Sequence, residues 1–219
     1  LTIDLQYEDP TIAIAPDLRP AVGSAVTAPG GAVVSTGTAE VLSTVFENPA
    51  LDRGMYESFY PCYIAPVAGS YFSFALNHVG GLLLRWFRDQ LGMGDSYEAM
   101  TSDLPPGPAS VMVLPHFNGS GTPWCDMDSK GAIVGLTMAT TRADIVRAIL
   151  ESQTYELKIN LEAMRKSGIL VESLVASGGG AKSRAWLQAK ADILGMPVST
   201  LACTESGCLG AAVIAGFGA

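Results

Sequence analysis

The chain has 219 residues, of which 48% are hydrophobic and 16% charged, enough to bury the core of one large domain or two small ones. Its net charge of -8 argues against a nucleic-acid partner, because such proteins carry clustered cations. The longest apolar stretch, residues 208–219, is shorter than the roughly 18 residues that a membrane-spanning helix requires, so no membrane partner is expected. No signal peptide opens the sequence, and its first residue is Leu1, so we expect a cytoplasmic protein and a piece of a longer chain.

The first third of the chain predicts a hairpin. Residues 1–22 are interrupted by prolines and should be irregular. Apolar and β-branched residues predict strands over 30–35 and 39–45, joined by a turn of small hydroxyl residues at 36–38. Residues 47–70, rich in proline, tyrosine and glycine, are expected to be irregular.

The middle of the chain predicts one amphipathic helix and one short strand. Apolar residues recur at helical spacing over 77–89, with Gly92 as the expected cap. A strand is predicted over 111–114, followed by an irregular connection at 115–123.

The longest helix is predicted to begin at Thr141. Asp144 stands three residues further on, as an acidic partner in a capping box. The apolar pattern continues to Met164, and Gly168 is expected to provide the left-handed end.

The last third predicts alternating strands and helices. Strands are expected over 170–176 and 197–201, with helices over 183–194 and 206–216 and a glycine loop at 178–180. This β-α-β-α order implies parallel strands joined by a right-handed crossover.

The cysteines and histidines show neither a metal-binding spacing nor a catalytic triad pattern. We expect reduced thiols, no metal site of the chain's own, and histidines that are packed or lie on the surface. The residues concerned are Cys62, Cys125, Cys203, Cys208, His78 and His116.

Three consecutive glycines, Gly178 to Gly180, follow the predicted strand and precede a helix. Such a turn brings exposed amides close to a ligand without side-chain bulk. A Walker loop is excluded, because Ala181 stands where that motif needs glycine before its lysine. A dinucleotide fingerprint stays open, with Ser183 as its third small residue. The other interpretation places the adenosine face of ATP on Gly179, Gly180 and Ala181.

Two further segments could complete such a site. The turn at Gly37 and Thr38 can donate hydrogen bonds to phosphate oxygens, although on its own it is also an ordinary hairpin turn. Gly81 and Arg85 lie one helical turn apart and could bind an anion at the helix start. The alternative for them is close helix packing at Gly81 with an exposed Arg85.

Eight motifs stand in an order that resembles the C-terminal domain of FGGY carbohydrate kinases, most like the xylulokinase and fuculokinase branches. They are Gly30-x5-Thr36-Gly-Thr-Ala-Glu40, Gly81-x4-Trp86-Phe-Arg-Asp89, Leu114-Pro-x3-Gly119-x2-Thr-Pro123, Gly131-x3-Gly135-Leu-Thr137, Arg147-Ala-Ile-Leu-Glu151, Gly178-Gly-Gly-Ala-Lys-Ser183, Ala191-Asp-Ile-Leu-Gly-x-Pro-Val198 and Glu205-Ser-Gly-Cys-Leu-Gly-Ala-Ala212.

The resemblance implies an α/β, ribonuclease-H-like domain of the actin and hexokinase superfamily over residues 23–219. It implies one half of a two-domain kinase that uses ATP and Mg2+ to phosphorylate a sugar. Ser183 or Arg184 would stand near the base or ribose. The nucleotide-contacting residues carried over are Gly37, Thr38, Gly81, Arg85, Gly179, Gly180, Ala181 and Ser183.

The chain also departs from that family. The N-terminal lobe with most of the sugar site is absent, so the sugar is not readable and the lobe is an expected partner. Asp17 stands near the register of the family's general base but without its glycines, and is either that base or a solvated loop acid. Apolar surface left by the missing lobe predicts self-association. The alternative function is a non-catalytic nucleotide-binding or interaction module with the same fold.

Overall fold

The computed structural model describes residues 26, 28–65, 69–91, 94–202 and 206–217. The irregular segment expected at 1–22, the helix cap expected at Gly92, and Asp17 and Cys203 lie outside the described residues. The other three cysteines are free thiols.

A six-stranded mixed sheet forms the centre of the domain, in the order β3-β4-β2-β1-β7-β8. Strands β1 and β2 form the predicted antiparallel hairpin, with Thr36 paired to Glu40 beside the turn. Strand β7 runs parallel to both β1 and β8, which confirms the parallel pairing predicted for the last third of the chain. The strands of this sheet are β1 (Gly30–Thr36), β2 (Glu40–Phe46), β3 (Tyr63–Ile64), β4 (Tyr71–Asn77), β7 (Val171–Ser177) and β8 (Val198–Thr200).

A separate two-stranded antiparallel sheet contains β5 (Met112–Leu114) and β6 (Ala132–Val134). The described helices are α1 (Arg53–Glu57), α2 (Gly81–Gln90), α3 (Tyr97–Ser102), α4 (Arg142–Lys166), α5 (Arg184–Leu194) and α6 (Ser206–Phe217). None of these helices is both long and apolar enough to span a bilayer.

In the middle of the chain, the structure differs from the sequence-based expectations in three places. Residues 47–70 were expected to be irregular, but they contain α1 and β3. The helix expected from residue 77 begins at Gly81, because residues 71–77 form β4, whose alternating side chains pack on both faces of the sheet. Helix α3 and strand β6 were not predicted, since each is short and lacks a distinctive pattern.

The sheet buries apolar side chains on both faces. Ala32 and Val34 of β1 pack in one cluster with Leu157 and Met164 of α4. The intervening Val33 points to the opposite face, where partly buried Val213 of α6 packs against its cluster. The domain is therefore a layered α/β fold in which α4 covers one face of the sheet.

Helix α4 begins and ends as predicted. The Thr141 hydroxyl accepts the amide of Asp144, and the Asp144 carboxylate accepts the amide of Thr141, which completes the capping box. The Thr141 hydroxyl also donates to the Asp144 carboxylate at 2.6 Å, and this hydrogen bond, together with that from the Thr141 amide, lowers the pKa of the Asp144 carboxyl. At the other end, Gly168 takes a left-handed φ of 83° and Ile169 donates its amide to Met164.

Thr141→Ala should lower the free energy of unfolding by about 1 kcal/mol, because it removes the side-chain half of this cap. Urea denaturation at neutral pH measures the loss. Thr141→Ser keeps the hydroxyl and serves as the control. An alanine variant as stable as the original chain would show that the cap does not contribute.

Candidate functional site

A cavity of about 1070 Å³ lies where the parallel strands β1 and β7 end. Ligands of open α/β sheets bind at the carboxyl ends of parallel strands, because the loops that follow those strands meet there. One wall is the β1–β2 turn, Thr36 to Thr38, and another is the loop after β7 with the start of α5, Gly179 to Gln188. The start of α2 and one face of α3 complete the lining.

The hairpin turn also holds the start of α2. Gly80 donates its amide to the carbonyl of Thr38 at 2.7 Å, and Gly81 donates to that of Gly37 at 2.7 Å. The Leu82 amide also donates to Thr38, at 3.3 Å. The first amides of α2 are therefore used inside the protein, and the anion site considered for the helix start is not formed by them.

Gly81 allows the backbone of α2 to lie close to the backbone of the β1–β2 turn. A Cβ on Gly81 would lie 2.9 Å from the Gly37 carbonyl oxygen, which is shorter than real Cβ contacts. The packing interpretation weighed for this glycine is therefore the one that the structure supports, while the exposed Arg85 still lines the cavity.

The triple glycine forms the opposite wall. Gly178 has a φ of +78°, and a Cβ there would lie 2.7 Å from the Thr36 carbonyl oxygen. A Cβ on Gly180 would lie 2.6 Å from Cβ and Cγ2 of Thr36. Gly179 has room for a Cβ, whose nearest neighbour would be the Thr36 carbonyl oxygen at 4.0 Å. Glycine at 178 and 180 thus lets the two walls meet at Thr36, whereas at 179 it leaves space in the cavity.

The loop is more regular than the sequence suggested. Gly179–Lys182 is a short 3-10 turn, and no side chain caps its start at Gly178. The first amides of a helical turn have no partner within the turn itself. The hydroxyl of Ser183 accepts the amide of Trp186 at 3.3 Å and caps α5.

Seven of the predicted site residues line this one cavity, namely Gly37, Thr38, Gly81, Arg85, Gly179, Gly180 and Ser183. Ala181 does not line it and instead packs against the core cluster that contains Leu157. Asp17 lies outside the described residues.

Some lining residues were missed from the sequence. Tyr97, Glu98, Thr101 and Ser102 reach the cavity from α3, a helix with no recognisable motif. Trp186 lines it as well, and its indole Nε1 is buried without a hydrogen-bond partner among the described residues. Helical phase from the Ser183 cap could have placed Trp186 near the glycine loop, but no local signal marks α3.

The cavity carries positive charge although the chain as a whole is negative. Arg85, Lys182 and Arg184 line it against a single carboxylate, Glu98. Within the described part of the chain, none of these three cations forms an ion pair. Such an arrangement favours a polyanionic ligand, with an affinity that falls as salt rises.

A buried ion pair lies beside the cavity. Lys190 of α5 donates from Nζ to Oε2 of Glu40 at 2.6 Å, and the Thr36 hydroxyl donates to the same oxygen at 2.6 Å. The Lys190 ammonium lies 5.1 Å from the centre of the Trp186 ring. Glu40 and Lys190 are 150 positions apart, so no local sequence pattern indicates the pair.

His116 is the centre of a second hydrogen-bonded group. It contacts Ser129 Oγ through Nδ1 and Glu156 Oε1 through Nε2, both at 2.6 Å. Burial raises the pKa of the Glu156 carboxyl above its ordinary value, and His116 opposes that rise. His116 is 7% exposed, as expected of a packed histidine, and none of the three residues lines the cavity.

The fold is that of an actin-like ATPase domain. The C-terminal domain of the FGGY family of carbohydrate kinases matches residues 32–219, and the chain belongs to that family. The chain is 29% identical over 201 residues to a xylulose kinase from Staphylococcus epidermidis and 34% identical over 220 residues to a glycerol kinase from Geobacter. These matches cover 90% and 97% of this chain, but only 40% and 44% of the two relatives.

Solved structures agree with this assignment. A xylulose kinase from Brucella ovis is similar with a TM-score of 0.82 and 27% identity, over 93% of this chain and 42% of the other. A Plasmodium falciparum glycerol kinase, solved with ADP, has a TM-score of 0.81 at 24% identity, over 94% and 42%, and supports the fold. The chain is thus similar to less than half of each of these kinases.

Proposed function

We propose that this chain is the nucleotide-binding lobe of an ATP-dependent carbohydrate kinase, which transfers the γ-phosphate to a sugar hydroxyl when a companion lobe is present. The observation that carries the proposal is that the two glycine turns line a single cavity together with three cations that form no ion pair with any residue the structure describes. Its volume of about 1070 Å³ is ample for a nucleoside triphosphate, since ligand pockets commonly measure roughly 300 to 1,000 Å³.

The geometry suggests how the ligand would lie. Gly179 and Gly180 offer a backbone surface without side chains, on which the adenosine would rest. Thr38 would donate hydrogen bonds to phosphate oxygens from the other wall. Arg85 and Lys182 would balance phosphate charge, while Ser183 or Arg184 would lie near the base or ribose.

Magnesium would enter with the nucleotide. Among the described residues, no group of three or more His, Cys, Asp or Glu side chains could hold a metal ion. Mg2+ is commonly bound through phosphates and one or two carboxylates, and it neutralises developing charge in phosphoryl transfer. A carboxylate must also accept the proton of the attacking sugar hydroxyl, and Asp17 stays our proposal for this base.

The companion lobe would supply the sugar site and the wall that excludes water. Without it, this chain should have negligible turnover, because the acceptor hydroxyl is neither bound nor aligned. The partial coverage of its relatives keeps a second function open, a nucleotide-binding module without catalysis. A cytoplasmic location stays a prediction.

Calorimetry with ATP and Mg2+ tests nucleotide binding, and addition of a separately expressed N-terminal lobe with a sugar panel tests catalysis. The kinase proposal expects a 1:1 binding heat and phosphorylation of at least one sugar in the combined sample. Binding without phosphorylation favours the non-catalytic module. The absence of both heat and thermal stabilisation at millimolar ATP contradicts both functions.

We also infer that the separate chain self-associates through the exposed face of the β5–β6 sheet. Met112 and Val134 are cross-strand partners with exposures of 69% and 63%, and Leu114 and Leu136 extend the apolar face. Light scattering at high micromolar concentration should show a dimer or larger species, because a contiguous exposed apolar patch marks an association surface. Met112→Gln combined with Val134→Thr should restore a monomer, and a monomeric original chain would contradict the inference.

A further inference from the structure

We infer that Glu40 and Lys190 are positioning residues. Their buried ion pair holds the two walls of the cavity at the distance that a ligand with both an adenosine and a diphosphate requires. This inference rests on the proposed nucleotide site. It concerns how the chain binds a ligand that contacts both walls at once.

The pair is buried to an unusual degree for two charged groups. The side chains of Lys190 and Glu40 are 2% and 1% exposed, and the second carboxylate oxygen, Oε1, has no partner among the described residues. Removing two charges from water offsets much of their attraction, so a buried pair is poor evidence of stabilisation. A role in fixing one arrangement of the surrounding groups explains it better.

The pair joins segments that are distant in sequence and opposite in the cavity. Glu40 is the first residue of β2, directly after the turn that forms one wall. Lys190 lies on α5, whose first two turns form the other wall. Neither charged side chain lines the cavity, so the pair acts from behind both walls.

Thr36 transmits the contact to the cavity surface. Its hydroxyl donates to the same Glu40 oxygen that accepts Lys190, which leaves its methyl group against Gly180. On the α5 side, the Lys190 ammonium lies 5.1 Å from the ring of Trp186, which lines the cavity. The carboxylate thereby fixes the Thr36 rotamer, and the ammonium fixes the helix face that carries Trp186.

Loss of the ion pair should affect some ligands more than others, whereas a loss of overall stability would affect all ligands alike. A ligand that contacts one wall only does not depend on the distance between the walls. A ligand that contacts both gains from having its second contact pre-positioned, in the manner of two linked binding groups. Loss of the pair should therefore weaken ADP binding more than binding of its separate parts.

The test compares ADP with adenosine and inorganic pyrophosphate, by calorimetry and NMR titration of the 219-residue chain. Lys190→Met should weaken ADP binding at least about tenfold, while adenosine and pyrophosphate each change less than about twofold. The double variant Glu40→Gln, Lys190→Met leaves no unpaired charge and keeps an acceptor for Thr36. It should fold and show the same selective loss.

Glu156→Gln is the matched control, because Glu156 is also a buried carboxylate in a polar pair, but neither Glu156 nor its partner His116 belongs to a segment that forms a wall of the cavity. It should keep the original ADP affinity. A double variant that binds ADP normally would overturn the inference and leave the nucleotide site intact. Equal losses for ADP and adenosine, or an equal loss in Glu156→Gln, would also overturn it. An original chain that binds no ADP would overturn the proposed function and this inference together.

Discussion

Gly179→Val should weaken ATP binding at least about tenfold, a loss of roughly 1.4 kcal/mol, while leaving the fold intact. The φ of Gly179 is outside the left-handed region, and an added Cβ would meet only the Thr36 carbonyl oxygen at 4.0 Å. The side chain would therefore be accommodated by the protein but would occupy the surface proposed for adenosine. Calorimetry with ATP measures the affinity, and urea denaturation should give an unfolding free energy within about 0.5 kcal/mol of the original.

The matched control is Gly216→Val, the same substitution at a helical glycine with no atom within 4 Å of an added Cβ. It should bind ATP as the original chain does. Equal ATP affinity in the Gly179→Val variant would place the ligand elsewhere. A loss of affinity accompanied by a large loss of stability would assign the effect to folding.

Gly121→Ala should destabilise the domain by about 4 kcal/mol or more, because it creates a backbone clash in a well-packed region. A Cβ on Gly121 would overlap the carbonyl oxygen of Leu76, which accepts the Thr122 amide at 2.9 Å. The Thr122 hydroxyl in turn accepts the Leu76 amide at 2.9 Å, so neither the end of β4 nor the loop at residues 121–122 can move away without losing hydrogen bonds.

Soluble expression and urea denaturation measure this effect. Gly216→Ala is the control, and it should be neutral or stabilise by about 0.5 to 1 kcal/mol, because alanine is the better helix former. A Gly121→Ala variant with an unchanged denaturation midpoint would contradict the close approach of Gly121 to the Leu76 carbonyl.

The sequence predicts the parts of this fold that depend on local signals. The hairpin over β1 and β2, the capped helix α4 and the strand–helix alternation after Gly168 follow from alternation, capping residues and glycine position. Helix α3 and strand β6 do not, because their stability comes from packing against the rest of the domain. Strand β4 was missed because its side chains are buried on both faces and its pattern merges with the following helix.

In the candidate site, too, features with a local sequence signal were predicted and features that depend on long-range packing were not. Glycines at 37 and 179 were found from the sequence because a turn without side chains is a visible local feature. For Gly81 the sequence left an anion site and close packing both open, and long-range packing gives its amide a partner in the hairpin. The ion pair between Glu40 and Lys190 joins distant positions and becomes visible only when the sheet and α5 are assembled.

The most direct test of the proposed nucleotide cavity is an NMR titration of the isotopically labelled chain with ADP. The expected result is a saturable 1:1 response whose largest amide shifts fall at Thr38, Gly179, Gly180 and Ser183, from both walls of the cavity. Unchanged spectra at millimolar ADP, or shifts confined to residues outside this cavity, would contradict it.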